Sequence, residues 1–69
     1  IGREAVERYE GALQGLTAQE RETIIARVEM GYTYEELAEA QGKPTPEAAR
    51  KAAHRALVRL AQEMEREDG

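Results

Sequence analysis

Between positions 43 and 59 the chain gathers Lys43, Thr45, Glu47, Arg50, Lys51, His54, Arg55 and Arg59, side chains that hold charge or exchange hydrogen bonds. Arginine can bridge guanine O6 and N7, and lysine can reach a base edge or a phosphate, so Arg50 and Lys51 are the best candidates for either contact. Arg55 and Arg59 lie further along and suit phosphate, with a solvated surface arginine the plain alternative for Arg59. Glu47 can accept from a cytosine amine, and it can equally favour the positive end of a helix dipole. Thr45 fits a helix cap and also a phosphate donor. His54 is the only histidine. It can touch backbone or base, or stand as an exposed polar residue, but without cysteine or a second histidine it cannot complete a metal site. An acid, a base and a nucleophile are not assembled anywhere, no phosphate loop is present, and the chain is too short to enclose a pocket. The chemistry on offer is recognition; no enzyme activity, cofactor or metal is expected.

What must position these residues is a turn followed by a long helix. Gly42 can take the left-handed backbone that closes a helix, Pro44 cannot continue one, and Thr45 then Pro46 supply an N-cap and a first-turn proline. After Pro46, Ala49, Ala53, Ala56, Leu57, Leu60 and Met64 recur at helical spacing and form one apolar stripe. At about 100° per residue, Glu47, Lys51, His54 and Arg55 fall on the opposite side, flanked by Arg50 and Arg59. Upstream, Thr17-Ala-Gln-Glu20 and Thr33-Tyr-Glu-Glu36 are capping boxes, and Tyr32 sits where a hydrophobic staple would reach Leu37. Gly15 and Gly31 stop the helices that precede these boxes. Val6, Tyr9 and Leu13 make the buried line of a first helix, and Ile24, Ile25 and Val28 the apolar face of a second. Ala38 precedes Gly42 by four positions, small enough to let the next helix cross closely. The pattern predicts an all-α, four-helix domain with a C-terminal helix-turn-helix, its helices at about 3–14, 18–30, 34–41 and 46–66.

The bounds agree with a small binding domain. The chain has 69 residues, one domain near the size at which a single core is only marginally stabilising. It has no cysteine, hence no disulfide or thiolate chemistry. No apolar run approaches a membrane span and no signal-peptide pattern is present, so a cytoplasmic location is expected. The first residue is Ile1 and not methionine, which suggests a piece of a longer protein. Net charge is −4, and its distribution is uneven. Residues 1–45 hold five Lys or Arg against nine Glu, residues 46–60 hold four against one, and residues 61–69 hold one against four acids. An acidic body does not attract phosphate from afar, yet a local basic face can contact it with weak, salt-sensitive affinity. An ordinary solvated charged face is the plain alternative.

Leu16-Thr17 followed by Glu20-Arg21, the block G-Y-T-Y-E-E-L-A at Gly31 to Ala38, and His54-Arg55-Ala56, in this order and spacing, resemble region 4 of a bacterial sigma factor, particularly the extracytoplasmic-function type. The resemblance implies a domain that reads the −35 promoter element in double-stranded DNA with its last helix and helps recruit RNA polymerase by docking on the flap of the β subunit. It also implies an anti-sigma protein as a further partner. Aligning His54-Arg55-Ala56 with the family needs one extra residue in the turn. That places Arg50 on the family's lysine, Lys51 on its serine and Ala52 on its arginine. The overall acidity and Ala52 leave open a different class, a protein-interaction module of the same fold without direct DNA reading. A self-dimerising regulator would need a long apolar seam outside the core; none is seen, so a monomer is expected.

Overall fold

The computed structural model describes residues 2–68 and the side chains of 2–66. Ile1 and Gly69, and the side chains of Glu67 and Asp68 counted in the acidic end, lie outside the described residues. Four α-helices follow one another: α1 (Arg3–Gln14), α2 (Ala18–Ile24), α3 (Tyr34–Gln41) and α4 (Pro46–Asp68). A π-helical turn, Ile25–Glu29, continues α2, and there is no strand among the described residues.

Local bonds define the helix starts. Thr17 Oγ1 accepts from the Glu20 amide at 3.2 Å while the Thr17 amide donates to Glu20 Oε1 at 2.9 Å. Thr33 and Glu36 repeat the exchange at 3.1 and 2.8 Å. Each box satisfies two amides that a helix start leaves without partners. Ahead of α4, Thr45 Oγ1 accepts from the Ala48 amide at 3.1 Å. The end of α3 is equally determined. Gly42 has φ of +65°, the Lys43 amide donates to the Ala38 carbonyl at 2.8 Å, and the Gly42 amide donates to Glu39 at 3.4 Å. This pair of crossed bonds is the Schellman arrangement, and it sets the direction in which the chain leaves α3 for α4.

Where a single α-helix over 18–30 is expected, the ladder widens after Ile24. The Met30 amide donates to Ile25 and the Tyr32 amide to Ala26, both at 3.0 Å. Gly31, at φ +73°, then ends the turn. A widened turn holds one more residue, so the position four after Ile24 no longer returns to the core. Val28 is therefore exposed, at 54%, and not part of a buried face with Ile24; Ile25 is half-buried. Val6 and Leu57 are also exposed against expectation. Leu57 lies about 40° beyond Ala53 on the helix wheel, at the rim of the arc the other helices cover. In α1 the fully buried position is Ala12, beside Leu13.

The core has two lobes, and α4 runs through both. Ala12, Leu13, Leu16, Ile24, Ala56 and Leu60 form one, with Tyr9 and Met64 packed on it. Leu37, Ala38, Ala49 and Ala53 form the other, with Ala26 and Tyr34 against it. At 23 residues α4 is about 35 Å long at 1.5 Å per residue, close to the 38 Å long dimension of the molecule. Its first half packs on α3 through alanine, which lets the two helices approach closely. Its second half packs on α1 and α2. One helix thus couples the turn after α3 to the body.

Candidate nucleic-acid interface

The turn and the outer face of α4 form the site. Thr45, Glu47, Arg50, Lys51, His54 and Arg55 are exposed, whereas Lys43 and Arg59 are half-buried. These residues do not act as one cluster; they fall into three groups.

Glu47 and Arg50 make a two-toothed ion pair one helical turn apart. Arg50 Nε donates to Glu47 Oε1 at 2.5 Å and Nη2 to Oε2 at 2.8 Å. The Arg50 hydrogen bond holds the Glu47 carboxyl below its usual range, against a smaller opposing effect of burial and with added attraction from Arg50 and Lys51. The same bond raises the Arg50 guanidinium further above its already high value. Arg50 is therefore not a loose cation.

Lys43, Arg55 and Arg59 converge on a groove of about 510 Å³ between the start of α2 and the middle of α4, together with Thr17, Gln19, Glu20 and Thr23. Within it Arg59 is engaged by carboxylates: Nε lies 3.6 Å from Glu20 Oε2 and Nη1 3.5 Å from Glu63 Oε2. Arg59 also reaches Gln62 Oε1 at 3.3 Å. The side chains of Lys43 and Arg55 have no hydrogen bond or ion pair among the described residues.

Lys51 and His54 form the third group, on the side of α4 facing away from both core lobes. Neither side chain makes a hydrogen bond or ion pair among the described residues. Among the described residues, the cations of this face whose side chains keep their donors available are Lys43, Lys51 and Arg55.

Three charged residues outside the expected set support the interface from behind. Arg21 donates from Nε to the Leu13 carbonyl at 3.0 Å and from Nη2 to Leu16 at 3.1 Å, satisfying the end of α1. Arg27 donates to the Tyr32 carbonyl at 2.7 Å and lies 4.2 Å from the centre of the Tyr34 ring, holding the loop into α3. Arg21 lies on α2, away from the end of α1 that it serves, and the Arg27 acceptor is a loop carbonyl, so no helix-end position signals either role in the sequence. Glu63 is the third. It reads as one acid among several at the C-terminal end, but it is only 9% exposed and takes Arg59 and, at 3.4 Å, Arg66. Its carboxylate fills the space beside Gly15, where a Cβ would lie 2.1 Å from Oε1.

Two helices joined by a capped turn, the second long and presenting cations outward, define a helix-turn-helix DNA-binding domain. Residues 12–62 match the family model for sigma-70, region 4, and the chain belongs to that family. The match runs from Ala12 in α1 to Gln62 in α4, so it takes in both core lobes, the turn and the outer face. No curated protein and no solved structure gives a match. Region 4 of sigma-70 factors binds promoter DNA and the RNA polymerase core; the chain is a DNA-binding domain of bacterial transcription initiation, from a regulatory and not an enzymatic family. Among the described residues no helix is long and apolar enough to cross a membrane.

Proposed function

We propose that this domain reads the −35 promoter element with α4, as part of a sigma factor of the extracytoplasmic-function type, and helps recruit RNA polymerase through the β flap. It acts as a monomer in the cytoplasm, with an anti-sigma protein as a further partner. The observation that carries the reading is the outer face of α4, where the side chains of Lys51, His54 and Arg55 stand exposed without a hydrogen bond or ion pair among the described residues. A recognition helix enters the major groove with its first turns nearest the base edges. Arg50 and Lys51 then face bases, and Thr45, Lys43 and Arg55 take the flanking phosphates. Arg59, occupied by Glu20 and Glu63, braces α4 against α2.

The test is fluorescence anisotropy of the whole chain with short promoter-like duplexes over a range of salt. Each phosphate contact contributes about −0.9 to the slope of log affinity against log salt. Arg55→Ala weakens all duplexes alike and makes the slope shallower by about 1, whereas Arg50→Ala costs about 1–3 kcal/mol and relaxes preference at one base pair. Equal, sequence-independent losses for both would remove base reading from Arg50.

A second reading, a protein-interaction module without DNA reading, draws on the exposed Leu57 and Val58 and on the capture of Arg50 and Arg59 by carboxylates. It predicts that no duplex is bound at any salt concentration while a polymerase flap fragment is.

A further inference from the structure

A guanidinium has two hydrogen-bonding edges, and in this domain one of them is already occupied. Arg50 presents five N–H donors in a rigid plane. Glu47 takes the Nε donor and one Nη2 donor in parallel bonds. The edge left over, formed by Nη1 and the outer Nη2 hydrogen, is the end-on fork, whose two parallel donors match guanine O6 and N7. The hydroxyl of Thr45 supplies the side-chain cap of α4, so the Glu47 carboxylate is not needed for that cap. Both side chains are about half exposed, 48% for Arg50 and 56% for Glu47, so the pair stands on the surface and contributes no core packing.

We propose that Glu47 is a specificity-determining positioning residue: it grips Arg50 by one edge and presents the other to a single guanine. The inference rests on the promoter-reading proposal and deepens it. Two physical effects act together. An arginine held by a second bidentate partner gives up less freedom when it docks, so the end-on contact forms at lower entropic cost. A carboxylate in the first turn of a groove-bound helix also repels the phosphates of every duplex alike, whatever its sequence. The held fork raises the ratio between guanine and its replacements, and the phosphate repulsion lowers affinity for all duplexes. The consequence is an unusual signature. Removing Glu47 makes the protein a tighter but less selective binder.

The experiment begins with the whole chain and a pool of short duplexes randomised across one major-groove face. The preferred duplex and all its single-base variants are then compared at low salt. For Glu47→Ala the account expects tighter binding to the variant duplexes and a fall of about 5- to 10-fold in the ratio between the preferred guanine and its replacements, within the range a bidentate base contact supplies. Glu47→Gln, which keeps one acceptor without the charge, falls between. In an Arg50→Ala background, Glu47→Ala lowers the ratio no further, because the two residues act as one unit. The Nε–H signal of Arg50 in the unbound protein, sharp and protected from exchange in the parent, is lost in Glu47→Ala. Preserved discrimination in Glu47→Ala, or losses that add in the double variant, would overturn the inference and leave the promoter-reading proposal standing. Failure of the parent chain to bind any duplex is a separate result, and it would overturn both.

Discussion

The hydroxyl of Thr23 in α2 accepts from Gln41 Nε2 in α3 at 2.7 Å and donates to the Gln19 carbonyl at 2.9 Å. Thr23 is buried, and the far oxygen of the Gln41 amide is buried without a partner among the described residues. This short polar relay ties the helix beneath the interface to the last residue before the Gly42 turn. Thr23→Val keeps the shape and removes the acceptor, leaving the Gln41 amide donor unpaired as well. A buried polar group left without a partner costs about 1–3 kcal/mol. Urea denaturation is expected to show a loss in that range with an unchanged slope. A loss below about 0.5 kcal/mol would mean that water reaches the amide and that the relay is dispensable.

Tyr9 gives a pH-dependent signature. Its hydroxyl donates to Glu29 Oε2 at 2.8 Å, joining α1 to the π turn. Burial, then the hydrogen bond to Glu29 and the charge of that carboxylate, push its pKa from 10.0 up to about 12. A phenol whose pKa rises on folding adds stability that is fully present below the unfolded value and lost as pH rises from about 10 through about 12. Tyr9→Phe therefore lowers stability by about 1 kcal/mol at neutral pH, and the gap closes as pH rises above about 10 and has closed or reversed by about 12. Thermal melts at neutral and strongly alkaline pH check this, with phenolate absorbance as the direct titration. A constant gap between the two proteins across that range would contradict it.

Gly42 separates backbone strain from crowding. A Cβ built there meets nothing within 4 Å, yet φ is +65°. Gly42→Ala therefore carries only the left-handed backbone penalty, about 1–2 kcal/mol. Because the Schellman bonds set the exit toward α4, the variant should also lose duplex affinity beyond what its stability explains. Gly31→Ala, equally open and at φ +73°, serves as the control, with a similar stability loss and no change in DNA binding. Equal binding losses in both would argue that the turn has no special part in aiming α4.

The capped helix starts are legible in the sequence because their bonds lie within four residues. Thr17 with Glu20 and Thr33 with Glu36 need only local geometry to find each other. The outer face of α4 follows from counting residues around a helix. The Glu47–Arg50 pair lies within reach of the same arithmetic, since residues three apart share a face. The π turn does not follow from composition. It depends on competition between the ladder and tertiary demands, among them Arg27 bonding the Tyr32 carbonyl and Glu29 taking the Tyr9 hydroxyl. Arg59 is likewise illegible as a brace, because its partner Glu20 belongs to another helix and only the fold brings them within 3.6 Å. Glu63 looks like a surface acid until Gly15 is seen to leave room for its carboxylate.

The most direct test of promoter reading by α4 is an NMR titration of the isotope-labelled chain with a short promoter-like duplex, at low salt and again at higher salt. Promoter reading by α4 gives amide shifts confined to residues 43–59, largest around Lys51, His54 and Arg55, that shrink as salt rises. Shifts absent from that segment, with binding of a polymerase flap fragment registered elsewhere, would contradict it.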